Sequence, residues 1–252
     1  MCGRYAVTTD PALLATEIDA IDETHGVELD VPGYNVAPTT NIVAVVARHA
    51  RDQPDAAATR RLRAMRWGLL PSWQKSLSGP PLFNARAESV AQKPAFRAAL
   101  KNKRCLIPMD GWYEWQVLDR EAKKPRKQPT YLTPSDGTRV YVAGLWSVWR
   151  PQGAGLDVAP TLSATVITTD AVGPLREVHE RMPLVLTPDS FDDWLDPDGP
   201  VDPSLLLPPG LDVAARIEIR PVSALVNSVA NDGPQLTARV DPGSEPGQLS
   251  LL

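Results

Sequence analysis

The chain has 252 residues, with 43% hydrophobic residues, 22% charged residues and a formal net charge of −4. These values are typical of a folded globular protein and exclude a disordered, collagen-like or fibrous chain. No window approaches about 18 uncharged apolar residues, so we expect no membrane span or signal peptide. Two cysteines are too few for a disulfide framework or a four-thiolate zinc site. We therefore expect a cytosolic protein with reduced thiols and no cofactor.

Short helices and many strands are predicted, because 26 of the 252 residues are proline and its ring interrupts helices. One helix should begin at Pro11 with Asp10 as its cap. Apolar spacing predicts two more helices, over residues 93–101 and 188–195. Segments rich in β-branched and aromatic residues predict strands over residues 42–47, 104–107, 141–149, 161–168 and 215–219.

The strands outnumber the helices and show no regular alternation with them, which favours a single compact α+β domain. We assign residues 1–240 to this domain and find no internal repeat. Residues 197–210 are rich in proline and aspartate and should form a surface loop. Residues 241–252 have the composition of a flexible tail.

The charge is unevenly distributed along the chain. Residues 1–47 carry a net charge of −6, residues 48–127 carry +11 and residues 128–252 carry −9. So basic a middle segment suggests a surface for a polyanion such as nucleic acid, although a solvated charged surface would give the same count. The segment also contains four tryptophans whose rings could stack on bases or fill a core, namely Trp67, Trp73, Trp112 and Trp115.

The second residue carries the most distinctive chemistry. Removal of Met1 would leave Cys2 with an α-amine of pKa about 7.7–8.0 and, on the adjacent carbon, a thiol of pKa about 8.5. Such a 1,2-aminothiol can capture an aldehyde as an imine and then close a thiazolidine ring through sulfur. An internal cysteine cannot do this. The alternative is a cysteine that follows the initiator by chance.

Two further segments offer polar groups with suitable chemistry. Asn84, Arg86 and Glu88 alternate with small apolar residues, so an extended backbone places them on one face. The amide could orient an amine and the guanidinium could bind phosphate. Glu114 lies among three aromatic residues, where burial would raise its pKa and suit it to proton transfer. A half-exposed glutamate paired with a cation is the alternative.

His179 is one of three histidines and is a candidate acid/base group at neutral pH; a histidine capping a loop is the alternative. It does not belong to a metalloprotease motif, because no second histidine follows at the required spacing and Pro183 would interrupt the helix. The histidines also lack ligand spacing to either cysteine, so no metal site is expected.

Six segments together resemble the SRAP family, the SOS-response-associated peptidase-like proteins that crosslink to abasic sites in single-stranded DNA. The resemblance extends over nearly the whole chain. It is carried by Met1-Cys2-Gly3-Arg4-Tyr5, Tyr34-Asn35-Val36-Ala37-Pro38-Thr39, Arg66-Trp67-Gly68-Leu69-Leu70-Pro71-Ser72-Trp73, Asn84-Ala85-Arg86-Ala87-Glu88, Gly111-Trp112-Tyr113-Glu114-Trp115 and His179-Glu180-Arg181-Met182-Pro183.

The resemblance implies a β-rich domain with a barrel-like core and Cys2 at the floor of a basic DNA-binding cleft. Cys2 would be the crosslinking nucleophile, and Asn84 would hold its amine. Glu114 would transfer protons, and His179 would assist opening of the deoxyribose ring or reversal. The DNA contacts would come from arginines facing phosphates and from tryptophans, namely Arg4, Arg86, Arg181, Trp67, Trp73 and Trp115.

Three other functions stay open. A thiol peptidase would use Cys2 as nucleophile and His179 as base, with Met1 as one conceivable substrate. An N-terminal-nucleophile amidohydrolase would usually need a long propeptide. A non-catalytic single-strand binder would not need Cys2 at all.

The end of the chain resembles the peptides that dock into the bacterial sliding clamp. Gln248 could hydrogen-bond at the rim of the clamp pocket, and Leu249, Leu251 and Leu252 could serve as apolar anchors. A C-terminal strand packed on the domain would also explain these leucines. We expect a monomer that joins the nucleoid when it binds damaged DNA.

Overall fold

The computed structural model describes residues 2–50, 52–77, 79–118, 121–123, 125–153, 155 and 157–241. The described residues form fourteen strands, which are β1 (Tyr5–Val7), β2 (Ile21–Asp22), β3 (Gly33–Val36), β4 (Asn41–Arg48), β5 (Thr59–Trp67), β6 (Asn84–Arg86), β7 (Arg104–Met109), β8 (Gly111–Leu118), β9 (Arg126–Pro134), β10 (Val140–Trp149), β11 (Thr161–Asp170), β12 (Arg181–Pro183), β13 (Val185–Leu186) and β14 (Ile217–Pro221). They also form four short α-helices, which are α1 (Pro11–Glu17), α2 (Arg97–Asn102), α3 (Phe191–Leu195) and α4 (Leu211–Ala215).

Five strands close into a barrel. Neighbouring strands pair in the order β5, β4, β7, β10 and β11, all antiparallel. Parallel pairing of Ser163 and Ala164 on β11 with Arg66 and Trp67 on β5 completes the ring. The expected α+β class, β-rich domain and barrel-like core are confirmed.

A second, five-stranded sheet has the order β14, β9, β8, β1 and β3. It contains β1, which follows Cys2, and β8, which carries Glu114; the two strands pair with Tyr5 opposite Trp112. Strand β6 joins the barrel through parallel pairing of Asn84 with Val166 on β11. Cys2, Asn84 and Glu114 therefore meet where the second sheet lies against the barrel.

The predicted helix after Asp10 is confirmed, since Asp10 Oδ1 accepts a hydrogen bond of 2.8 Å from the Ala12 N–H and Pro11 is the first helical residue. The predicted helix over residues 188–195 is also found, with its first turn in the 3₁₀ form. The helix predicted over residues 93–101 begins only at Arg97. The residues before it form tighter turns, in which the Phe96 N–H bonds to the Lys93 carbonyl at 3.0 Å.

Four predicted strands are confirmed and extend one or two residues beyond the predicted bounds, as β4, β7, β10 and β11. The fifth, predicted over residues 215–219, begins at Ile217 because Ala215 ends helix α4. The predicted loop over residues 197–210 includes a short 3₁₀ turn at Pro203–Leu206.

Residues 242–252, which include the predicted clamp-binding peptide, lie outside the described residues. Among the residues that are described, no helix has the length and apolar character needed to cross a membrane.

Candidate active site

Cys2 is fully buried at the junction of the second sheet and the barrel. Its carbonyl oxygen accepts a hydrogen bond of 2.8 Å from Asn84 Nδ2. Burial raises the pKa of the Cys2 thiol, and the nearby negative charge of Glu114 raises it further. The thiol is therefore held in its protonated form at neutral pH, and it needs a base before it can act as a nucleophile.

Asn84 lies at the start of β6, where parallel pairing with β11 fixes its backbone. We expected its amide to hold the Cys2 amine, but the amide nitrogen instead donates to the Cys2 carbonyl. Its side-chain oxygen is buried and has no hydrogen-bond partner among the described residues. A buried acceptor without a donor is costly, so this oxygen is suited to receive an N–H group.

Glu114 is only 3% exposed on β8. Burial raises the pKa of its carboxyl group to about 7, against the opposing effect of the positively charged amino terminus of the chain. The raised pKa expected from its aromatic surroundings is therefore found. A carboxyl group that titrates near neutral pH can both donate and accept a proton under physiological conditions.

His179 lies directly after a 3₁₀ turn and is half-buried. Its Nδ1 accepts a hydrogen bond of 2.9 Å from the Arg181 N–H. Burial lowers the pKa of the imidazole, and the positive charge of the amino terminus lowers it further. The neutral ring is thus favoured at pH 7.

Two of the arginines expected to face phosphates differ sharply in environment. Arg86 is exposed on β6. Arg181 is 7% exposed, and its guanidinium donates to both carboxylate oxygens of Glu88, at 2.8 and 3.0 Å, to Asp170 at 2.6 Å and to the Thr168 carbonyl at 2.7 Å. The structure therefore presents Arg86 to solvent, whereas Arg181 is committed to internal partners.

The third arginine, Arg4, connects three parts of the fold. Its Nη1 donates to Asn35 Oδ1 at 2.7 Å and to the Val226 carbonyl at 2.8 Å. Its guanidinium carbon lies 5.9 Å from the ring centre of Trp115, which itself donates to Asn227 Oδ1 at 2.7 Å. Arg4 and Trp115 are thus held against residues 226–227 at the surface beside Glu114.

The remaining two tryptophans have opposite exposure. Trp67 is fully buried, donates to the Phe83 carbonyl at 3.0 Å and packs edge-to-face against Tyr5 with ring centres 5.2 Å apart. It cannot stack on a base, so the expected DNA contact at Trp67 is wrong and its role is packing behind Cys2. Trp73 is 62% exposed and presents its ring to solvent.

Asn35 is a site residue to which sequence reasoning gave no role. It is 8% exposed, and its Nδ2 donates to the carbonyls of Ser228 at 2.9 Å and Asn231 at 2.8 Å, while its oxygen receives Arg4. It therefore ties the segment over residues 226–231 to β3. The sequence did mark Asn35, because it belongs to one of the six segments that resemble the SRAP family. Its role was missed because its hydrogen-bond partners are distant in sequence.

No group of three or more histidine, cysteine, aspartate or glutamate side chains within the described part of the chain could hold a metal ion.

The raised pKa of Glu114 predicts a pH-dependent stability. Below pH 4.5 the carboxyl is protonated in both folded and unfolded chains. Between pH 4.5 and about 7 the unfolded chain releases this proton first, so the free energy of unfolding falls, by up to about 3 kcal/mol. Glu114→Gln should remove this fall. Denaturant unfolding from pH 4 to 8 measures it, with exposed Glu28→Gln as the control that should follow the wild type. Parallel curves for all three proteins would contradict the burial penalty.

Comparison with known proteins places this geometry in context. The family model described as SOS response associated peptidase (SRAP) matches residues 1–229. A solved structure of a protein from Bacteroides thetaiotaomicron is similar with a TM-score of 0.73 at 20% identity, covering 95% of this chain and 100% of the other. A second, from Bordetella bronchiseptica, has a TM-score of 0.68 at 25% identity, covering 88% and 100%.

Curated relatives come from bacteria and vertebrates. The abasic site processing protein YoqW of Bacillus subtilis (strain 168) is 35% identical over 248 residues, which cover 94% of this chain and 98% of the relative. HMCES of Xenopus tropicalis, also named an abasic site processing protein, is 31% identical over 270 residues, covering 95% and 78%. YedK of Escherichia coli (strain K12), with the same description, is 30% identical and covers 94% and 98%. By both the family model and these relatives, the chain belongs to the SOS response associated peptidase (SRAP) family.

Proposed function

We propose that this protein processes abasic sites in single-stranded DNA by forming a covalent bond between Cys2 and the sugar aldehyde. The observation that carries the proposal is the burial of Cys2 against Asn84, next to a glutamate whose pKa lies at about 7. Relatives named abasic site processing proteins support the same substrate. The product would shield the lesion from strand cleavage.

The covalent step begins once Met1 is removed and Cys2 carries a free α-amine. The closed deoxyribose opens to expose the aldehyde at C1′. The amine nitrogen bonds to C1′, and the carbonyl oxygen leaves as water to give an imine. The thiol sulfur then adds to the imine carbon while its proton moves to nitrogen, which closes the thiazolidine. The net change is the loss of one water molecule.

At Cys2, Asn84 would position the amine and the carbonyl, and Glu114 would transfer protons. The buried Asn84 oxygen would accept a hydrogen bond from the new amine, while the Asn84 nitrogen keeps the Cys2 carbonyl in place. Glu114 in its acid form would protonate the departing oxygen. The resulting carboxylate would then take the proton of the thiol, whose pKa is raised by burial and so requires a base.

His179 is assigned to the sugar. Burial lowers its pKa, so the imidazole is largely neutral at pH 7 and can act as a base. It would take the proton of the C1′ hydroxyl as the deoxyribose opens, and the imidazolium so formed would protonate the departing ring oxygen; reversal runs the same two transfers backwards.

The DNA path is assigned to exposed groups. Arg86 would contact phosphate and Trp73 would stack on a base, because both side chains face solvent. Trp115 and Arg4 would form the wall beside Glu114. Arg181 would act as a positioning residue that holds Glu88, since both terminal nitrogens of its guanidinium are already occupied.

A thiol peptidase is the alternative, in keeping with the family description. That activity would need a Cys2 thiolate and a protonated His179 as its partner. Burial instead favours the protonated thiol and the neutral imidazole. This electrostatic environment supports imine and thiazolidine chemistry better than attack on a peptide bond.

The clamp-binding peptide remains a proposed partner site, with Gln248, Leu249, Leu251 and Leu252 as its contacts, and it lies outside the described residues. A cytosolic monomer that joins the nucleoid at damaged DNA is the setting this proposal assumes.

Substitutions of the two cysteines should have opposite effects in a crosslinking assay with an abasic single-stranded oligonucleotide. Cys2→Ala should abolish the stable adduct, since only an amine remains. Cys2→Ser should give an imine adduct that survives only after borohydride reduction. Cys105→Ala is the control and should crosslink like the wild type, because Cys105 is buried within β7. A stable adduct with Cys2→Ala, resolved on a denaturing gel, would refute the mechanism.

The acid/base groups should affect rate rather than affinity. Glu114→Gln and His179→Ala should each slow crosslinking or its reversal by roughly 10²-fold, as is typical of general acid/base residues. Affinity for an undamaged oligonucleotide should stay close to that of the wild type. Single-turnover crosslinking and fluorescence anisotropy measure the two quantities separately. Equal loss of rate and affinity would show that these residues are only structural.

Arg86→Ala should weaken DNA binding and make it less dependent on salt. Loss of one phosphate contact on a single strand lowers the slope of log K against log salt by about 0.7. Arg216→Ala, which removes an exposed arginine elsewhere on the protein, should leave the slope unchanged. If both variants gave the wild-type slope over a salt titration, the phosphate assignment would fail.

A further inference from the structure

A second cleft, of about 730 Å³, opens at one end of the barrel. Residues from β4, β5, β10 and β11 converge on it. Because these strands lie on different sides of the ring, their side chains can meet only by pointing towards the barrel interior. We call the cleft the arginine mouth, and it is lined mainly by Val46, Arg48, Arg61, Arg63, Trp146 and Leu162.

The arginine mouth is separate from the Cys2 site. Leu162 in the mouth lies near the start of β11, whereas Thr168, which pairs with Arg86, lies near its end. Six residues of strand at about 3.3 Å each separate the two by about 20 Å. None of the Cys2-site residues lines the mouth.

The mouth has more positive than negative groups. Three arginines face two carboxylates, Glu23 and Asp52. Glu23 binds both Arg61 and Arg63, the latter at 2.6 Å. Because three arginines share two carboxylates, the mouth carries a net positive charge.

The positive charge that no carboxylate balances belongs to Arg48. It has no carboxylate partner among the described residues, and its guanidinium carbon lies 4.5 Å from the ring centre of Trp146. His49, its neighbour, is turned to Asp198 at 2.9 Å and does not compete for an anion. A guanidinium stacked on an indole keeps its N–H groups available at the ring edge.

Two buried donors in the same mouth have no acceptor. Trp146 Nε1 and Arg61 Nε are both shielded from solvent and lack a hydrogen-bond partner in the described part of the chain. Buried donors are almost always paired in folded proteins. Two of them in one cationic cleft indicate a ligand that brings its own oxygen atoms.

We propose that the arginine mouth binds a nucleoside monophosphate. The phosphate would bind Arg48 and satisfy the two free donors, since arginine suits phosphate geometry. The base would lie against the apolar side chains of the mouth, which include Met65 and Val148. The volume falls within the roughly 300–1,000 Å³ of small-molecule sites, and a bare phosphate would leave the apolar wall uncovered.

The test is a titration of the full-length protein with dAMP, followed by NMR of the tryptophan indole N–H groups. Trp146→Phe identifies the Trp146 signal. Because its N–H gains an acceptor, this signal should move downfield and saturate. Deoxyadenosine, which lacks the phosphate, and inorganic phosphate, which lacks the base, should each bind at least tenfold more weakly.

Two arginine variants complete the test. Arg48→Met should weaken dAMP binding at least fivefold, whereas Arg216→Met, an exposed arginine outside the mouth, should not change it. Arg48→Met should also crosslink to abasic DNA at the wild-type rate, which separates this site from the one at Cys2.

Any of four results would overturn the proposal. The Trp146 signal could stay fixed at millimolar dAMP, or both arginine variants could bind dAMP equally well. Inorganic phosphate could bind as tightly as dAMP, which would make the mouth a simple anion site. An undamaged oligonucleotide that moves the Trp146 signal when dAMP does not would assign the mouth to a nucleic-acid strand instead.

Discussion

The burial of the start of the chain is the constraint on which the site depends. One hydrogen bond, from Asn84 Nδ2 to the Cys2 carbonyl, joins Cys2, three residues before β1, to strand β6 of the barrel sheet. It holds Cys2 where solvent is excluded, and the same exclusion raises the pKa values of the Cys2 thiol and the Glu114 carboxyl. At pH 7 the thiol is therefore neutral, whereas Glu114 is present in both its acid and its carboxylate form. A group that transfers protons in both directions needs both forms.

The barrel supplies the rigidity for this arrangement. Parallel pairing between β11 and β5 closes the ring, and β6 continues the parallel pairing along β11 towards its far end. Asn84 and Arg86 are thereby fixed relative to Trp67, which packs behind the site against Tyr5. Asn84 and Glu114 lie on paired strands, which fix their positions, whereas Cys2 and His179 lie outside the strands.

The sequence predicted local structure correctly where the interacting residues are close together in the sequence. The cap at Asp10, the alternation over Asn84–Arg86 and the apolar central strands all depend on neighbours in sequence. The predicted extended run to Glu88 is wrong, because residues 87–90 form a turn. Strand β5 was missed because its arginines look like a solvated loop. Their charges are neutralised by a distant partner, since Arg61 and Arg63 both bind Glu23.

The basic segment over residues 48–127 shows that function, too, is hard to predict when the partners of a residue are distant in sequence. Its net charge suggested a surface for a polyanion such as nucleic acid, yet Arg104 is 3% exposed and donates to backbone carbonyls around α3. Arg60 pairs with Asp192. A charge count along the chain cannot separate such internal cations from those that face a ligand. Only the folded arrangement leaves Arg86 near Cys2 and Arg48 in the arginine mouth.

The most direct measurement is the intact mass of the protein after reaction with an abasic single-stranded oligonucleotide, followed by peptide mapping of the adduct. The account predicts a species equal to the protein without Met1 plus the oligonucleotide minus one water, with the modification on Cys2. An adduct that retains Met1, or one that maps to Cys105 or to a lysine, would contradict it.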